Sequence, residues 1–139
     1  MSRPAAIVDT NVVVAGLLTG DATSPVAGIL DGMLAAAFPF VVSVALLAEY
    51  RAVLVRPALR KQHGLTVAEI DRLLTDIARH AIVLAPGVES SSAPDPGDQL
   101  LWDLLAAKED LLLVTGDKAL QRDAAMRARV LSPLAFVER

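Results

Sequence analysis

Short apolar runs rich in Val, Ile and Leu alternate along the chain with longer stretches of helical spacing. Pro4 to Val8, Phe38 to Val42, Ala81 to Ala85 and Leu111 to Thr115 read as strands, and Ala128 to Leu131 as a fifth. Ser24-Pro25 pairs a capping residue with proline at the first helical position and opens a helix to about Ala37. Ser43 caps a helix that carries Glu49 and runs to about Arg56, where Pro57 stops it. Thr66-Val67-Ala68-Glu69 is a capping box, backed by an apolar stripe of Val67, Ile70, Leu73, Leu74 and Ile77. Pro86 to Pro96 is a Ser/Gly/Pro-rich loop. Asp95-Pro96-Gly97-Asp98 starts a helix to about Lys108, Lys118 to about Met126 forms a short one, and a last turn begins at Ser132. Strands that alternate with helices pair in parallel, because each crossover helix covers a face of the sheet. The expected fold is α/β, a three-layer α/β/α sandwich with a four- or five-stranded parallel sheet.

Composition narrows the function. At 139 residues the chain suits one domain, 1–139. With no cysteine it has no disulfide scaffold, zinc finger or thiol nucleophile. A net charge of −3 argues against nucleic-acid binding by bulk attraction. Gly32 to Ala48 carries no charge, yet Pro39 and Ser43 interrupt it and Glu49 ends it, so it reads as helix end, strand and helix start rather than a membrane span. Asp9 and Asn11 fall where a signal peptide needs an apolar run. The expectation is a cytoplasmic protein with no membrane contact.

In open α/β sheets, ligands bind beyond the carboxyl ends of the strands. Two strands end here in acid: Val8 runs into Asp9, and Leu113-Val114-Thr115 runs through Gly116 into Asp117. Neither is followed by a phosphate-cradling glycine loop. Glu49, set among Leu46, Leu47, Ala48, Val53 and Leu54, and Asp98, in the first turn of its helix, can join them. Four converging carboxylates would raise one another's pKa values. A divalent cation relieves the repulsion, and an all-oxygen donor set favours Mg2+ or Mn2+, as one or two ions. A carboxylate-held pair roughly 3.5–4 Å apart is machinery for phosphodiester hydrolysis. Each acid also has a purely structural role open to it: Asp9 as a strand-end turn, Asp117 as a helix cap, Asp95 with Asp98 as a capping pair, Glu49 as partner of an arginine. His63, in the turn Arg60 to Gly64, reads as a solvated loop residue, and His80 as a helix terminus. Ser90-Ser91-Ser92 reads as linker, Trp102 as core or interface, and Asp103, Glu109 and Asp110 as solvated helix-face charges.

Val8-Asp9-Thr10-Asn11-Val12, Ser43 to Leu54 with Glu49 and Tyr50, Arg56-Pro57, Asp95-Pro96-Gly97-Asp98 and Val114-Thr115-Gly116-Asp117-Lys118, in this order, make the sequence similar to PIN-domain proteins. The spacing resembles the subgroup of VapC-like toxins, the ribonuclease component of toxin–antitoxin pairs. The resemblance implies an Mg2+- or Mn2+-dependent ribonuclease acting on RNA, a homodimer, and a small antitoxin that silences it. By position it implies Asp9, Glu49, Asp98 and Asp117 as catalytic and metal-binding acids. Asn11 and Thr115 would orient the carboxylates or the attacking water. The DPxD stretch offers two acids; metal binding is assigned to Asp98 and capping to Asp95. Trp102-Asp103 departs from the small apolar residues common in the family, which bears on substrate preference.

Without the four site acids the rest of the chain has a net charge of +1. Arg51, Arg56, Arg60 and Lys61 after Glu49, and Lys118 and Arg122 beside Asp117, form a candidate rim for RNA phosphates, or else a set of solvated helix-face residues. Two other functions compete. A haloacid-dehalogenase-like phosphatase also has an aspartate after its first strand, but Asn11 stands where that chemistry uses an acid–base aspartate. An inactive PIN-like module would bind RNA or protein without cleaving it. The apolar composition, and the charge-free stretch above all, also suggest more apolar helix surface than one core buries, hence a dimer through helix faces away from the strand ends.

Overall fold

The first strand of the chain lies at the centre of the sheet. A computed structural model, describing residues 3–139, has five parallel strands in the order β3-β2-β1-β4-β5. These are β1 (Ala6–Val8), β2 (Phe40–Val42), β3 (Ile82–Val83), β4 (Leu112–Val114) and β5 (Val130–Leu131). Side chains along a strand alternate between the two faces. Ala6, Ile7 and Val8 are all buried, as are Phe40, Val41 and Val42, so both faces of the central strands are covered. This is the expected α/β/α layering, with five strands rather than four. The edge strand β3 is different: Ile82 and Val83 are 43% and 55% exposed.

Among the described residues, eight helices surround the sheet: α1 (Thr10–Leu18), α2 (Pro25–Leu34), α3 (Val44–Leu54), α4 (Pro57–His63), α5 (Val67–His80), α6 (Gln99–Leu105), α7 (Lys118–Gln121) and α8 (Pro133–Glu138). The caps at Ser24, Ser43 and Thr66 form as expected, each side chain accepting a backbone N–H, and the Thr66–Glu69 capping box is complete. Two helices differ from the sequence expectation in kind. Residues 10–18 form α1 despite three consecutive valines, because α1 is pinned against α2; a Cβ on Gly16 would lie 2.6 Å from the Val26 carbonyl oxygen. Pro57 does not merely stop α3, which ends at Leu54, but starts α4 at its first position, where a missing N–H costs nothing.

Other ends are trimmed. α2 stops at Leu34, with Ala36 in the left-handed region at φ 54° and Ala37 N–H donating to the Gly32 carbonyl (2.8 Å). This is a Schellman closure with alanine where glycine is usual. A 3-10 turn, Pro96–Asp98, precedes α6, and a second, Arg127–Arg129, precedes β5. The charge-free stretch is mostly spent inside: Met33, Phe40 to Val42 and Leu46 are buried, and Val44 is its one large exposed side chain, at 77%. Among the described residues, no helix is long and apolar enough to cross a membrane.

Candidate active site

Strands β1 and β4 are neighbours, with Val8 opposite Val114. The chain leaves β1 towards β2 on one side and returns at β4 on the other, which makes their carboxyl ends the topological switch point. Asp9 and Asp117 follow these two strands. Asp9 N–H continues the ladder to the Val114 carbonyl (2.9 Å). Glu49 comes from α3, and Asp98 from the 3-10 turn before α6. All four acids, with Thr10 and Asn11, line one cavity of about 500 Å3. Its remaining wall is aliphatic: Val14, Ala15 and Leu18 from α1, and Val53 from α3.

Asp9 stands at the N-cap position of α1, yet its side chain caps nothing. It is 6% exposed and its Oδ2 accepts from the Thr115 hydroxyl (2.8 Å) and from Asn11 Nδ2 (3.3 Å). Burial pushes its pKa from 3.8 to about 6; the Thr115 hydrogen bond opposes the shift, and the charges of Asp98 and Glu49 add to it. Asp98 is also raised, by burial first and then by Asp117, Asp95 and Glu49. Thr115 is fully buried, and besides donating to Asp9 its Oγ1 accepts from Asp117 N–H (3.0 Å). Asn11 Oδ1 accepts from Gly116 N–H (3.1 Å), so Asn11 and Thr115 tie the ends of β1 and β4 together.

The structural roles weighed for the acids divide unevenly. Asp117 both caps α7, accepting from Ala119 N–H (2.8 Å), and lines the cavity. Asp95 caps the 3-10 turn through Gly97 N–H (2.8 Å) and does not line the cavity. Glu49 has no arginine partner; the ion pairs among the described residues join Arg51 to Asp71 (2.8 Å) and Arg79 to Asp76 (3.7 Å). The Glu49 carboxylate instead accepts from the Thr10 hydroxyl. None of Arg51, Arg56, Arg60, Lys61 and Lys118 lines the cavity. Arg60 and Lys61 border a separate depression with Pro57 and Thr66.

The donor chemistry fits a hard divalent cation: oxygen ligands only, mutually repelling, with a buried carboxylate lacking a counter-charge. Among the described residues, no three acidic or histidine side chains are close enough to hold one ion together. Side-chain rotation within the cavity would have to bring them in.

Several residues play parts that sequence did not indicate. Thr10 and Tyr50, each beside a candidate acid, hydrogen-bond across the site, Tyr50 to the Val8 carbonyl. Their adjacency to Asp9 and Glu49 was the available signal. His63 is not a solvated loop residue; it ends α4, with Nδ1 accepting from Leu65 N–H (3.0 Å) and Nε2 bonded to the Leu54 carbonyl (3.0 Å). Asp103 is not a free surface charge either. It accepts from Ser90 and Gln99, and Gln99 also holds Ala93 N–H (2.9 Å), so the serine-rich segment is latched onto α6. Trp102 is core, 1% exposed.

No curated protein matches the chain. The family whose sequence model is described as PIN domain matches residues 5–119, a span that holds β1, all four cavity acids and β4. PIN domains are in general nucleases, hydrolases of phosphodiester bonds, and typically use divalent metal ions. On that match, and with the parallel sheet in accord, the chain belongs to the PIN domain family.

Proposed function

We propose that the chain is a single nuclease domain that hydrolyses RNA at Asp9, Glu49, Asp98 and Asp117 with the aid of Mg2+ or Mn2+. The observation that carries this reading is the meeting of four carboxylates, brought from four separate segments, around one open cavity at the switch point. Such a set is costly to assemble, and apart from the cap that Asp117 gives α7 the fold gains little from it. When bound, one or two cations neutralise the charge that builds on the phosphate and its attacking and leaving oxygens. Asn11 and Thr115 hold Asp9 in place through the hydrogen bonds described above, and the aliphatic wall of Val14, Leu18 and Val53 lies against the nucleotide beside the scissile phosphate. Arg56, Arg60, Lys61 and Lys118 hold flanking phosphates; Arg51, paired with Asp71, contributes least.

The toxin role rests on the resemblance of the motif spacing, and with it a cytoplasmic setting and a small antitoxin that covers the cavity. A homodimer belongs to the same reading; the exposed Ile82 and Val83 that favour it lie on the edge strand β3 rather than on the helix faces the composition suggested. Incubation of purified protein with single-stranded RNA tests the central reading. Cleavage should require Mg2+ or Mn2+, stop with EDTA and vanish in Asp9→Asn. Metal-independent cleavage, or an active Asp9→Asn, would overturn it, and RNA binding without cleavage would favour the inactive module. Light scattering decides the oligomeric state, and co-purification of a short neighbouring gene product that suppresses cleavage decides the antitoxin.

A further inference from the structure

Glu49 and Tyr50 are consecutive on α3, and each is joined to a different neighbour of Asp9. Tyr50, the chain's one tyrosine, is fully buried, and its hydroxyl donates to the carbonyl of Val8, the last residue of β1. Thr10, the first residue of α1, donates its hydroxyl to Glu49 Oε2. Asp9 is therefore bracketed by two cross-links to the same turn of α3, spanning 39 and 42 residues of sequence. A phenylalanine would fill the space of Tyr50 without bringing a polar atom into the core, so packing alone does not call for the hydroxyl. Nor does the fold need the half-buried Glu49 carboxylate to be tied to a threonine.

We propose that Thr10 and Tyr50 are positioning residues that together fix the spacing of the Asp9 and Glu49 carboxylates, so that one divalent cation can engage both. The inference rests on the metal-dependent reading above and adds to it the device that holds two of the acids in register. Metal chelation tolerates ligand misplacement of only about 0.5 Å, and residues that orient ligands typically contribute 10–100-fold to metal affinity. Tyr50 holds the end of β1 against α3, which sets the distance between the two backbones. Thr10 holds the Glu49 carboxylate on the cavity side.

Mn2+ binding followed by titration calorimetry, well below the melting temperature, tests the clasp without relying on turnover. Tyr50→Phe and Thr10→Val should each weaken Mn2+ binding about tenfold, and Thr10→Ser, which keeps the hydroxyl, should restore it to within about twofold. Cleavage by these variants should recover at saturating Mn2+. Ile77→Val, in the core on α5, supplies the control: it should lower thermal stability and leave Mn2+ affinity unchanged. If Tyr50→Phe does not fold, the Thr10 pair decides. Wild-type Mn2+ affinity in Thr10→Val, or failure of Thr10→Ser to restore it, overturns the clasp while leaving the nuclease reading intact. A wild-type protein that does not bind Mn2+, or an Asp9→Asn variant that binds it equally well, overturns both.

Discussion

At the end of the sheet where β4 begins, the half-buried Arg129 guanidinium donates to the carbonyls of Leu105 (2.8 Å), Lys108 (2.6 Å) and Leu111 (3.1 Å). At the other end, where β1 and β4 finish, Asp9 is more deeply buried and has two neutral donors and two repelling neighbours. The first charge is desolvated but spent on closing the α6–β4 connection, with Asp110 and Glu109 near enough to support it. The second is desolvated, and among the described residues no cationic side chain pairs with it. One end of the sheet uses charge to hold the chain together, and the other gathers carboxylates that repel one another.

The contrast is broken most severely at the acidic end. Asp9→Asn and Asp117→Asn should each lower metal-dependent cleavage at least about 100-fold, measured as initial rates on single-stranded RNA. Neither should unfold the protein.

The opposite end predicts the reverse pattern. Arg129→Ala leaves three carbonyls without their donor and should cost about 2–4 kcal/mol in urea denaturation, with cleavage retained at temperatures where the variant is folded. A loss of activity without a loss of stability would erase the distinction between the ends.

Asp9 also makes the contrast measurable through pH. Its carboxyl ionises near 3.8 in the unfolded chain and near 6 in the folded one, so the folded state binds the proton more tightly between these values. Its contribution to stability is therefore fully present below about pH 4 and is lost as pH rises through about 6. At pH 7 without divalent cations, Asp9→Asn should be more stable than wild type by about 2–3 kcal/mol, less whatever the altered bonds to Thr115 and Asn11 cost. Excess Mg2+ or Mn2+ should shrink the gap by stabilising wild type alone. Equal stability of the two proteins across pH 4–8 would mean that Asp9 carries no stored repulsion.

Within the DPxD stretch the same division recurs at shorter range. Asp98→Ala should remove most cleavage, whereas Asp95→Ala should cost about 1 kcal/mol of stability and little activity. The smallest effect is expected at the turn leading into β2, where Ala36→Gly should add about 0.5–1 kcal/mol by relieving the left-handed backbone, with cleavage unchanged.

Legibility followed the same physical lines. The central strands could be read because burial on both faces leaves unbroken apolar runs, as in Ala6–Val8 and Phe40–Val42. The helix α1 could not, since Val12 to Val14 favour a strand locally and only packing against α2 overrides them. The edge strand β3, at two residues and half exposed, was shorter than the run that suggested it. In the site, Asp9, Asp98 and Asp117 were legible because they stand at strand and helix ends, and Glu49 because it interrupts the apolar run of α3. Thr10 and Tyr50 were marked only by standing beside candidate acids; their partners lie 39 and 42 residues away, and adjacency does not announce a hydrogen bond at that range. The capping role of Asp95 was readable for the opposite reason: its partner is two residues on.

The position of β1 between β2 and β4 also dictates when the site comes into being during synthesis. Thr115 meets Asp9 across 106 residues, so the cavity lacks one wall until β4 has left the ribosome and entered beside a strand made long before. At roughly 5–20 residues per second, that interval lasts about 5–20 s. During it the nascent chain can pair β1 with β2 and cover them with the intervening helices, while Asp9 waits without Thr115 or Asp117. A nascent nuclease of this topology is unarmed until most of it has been made.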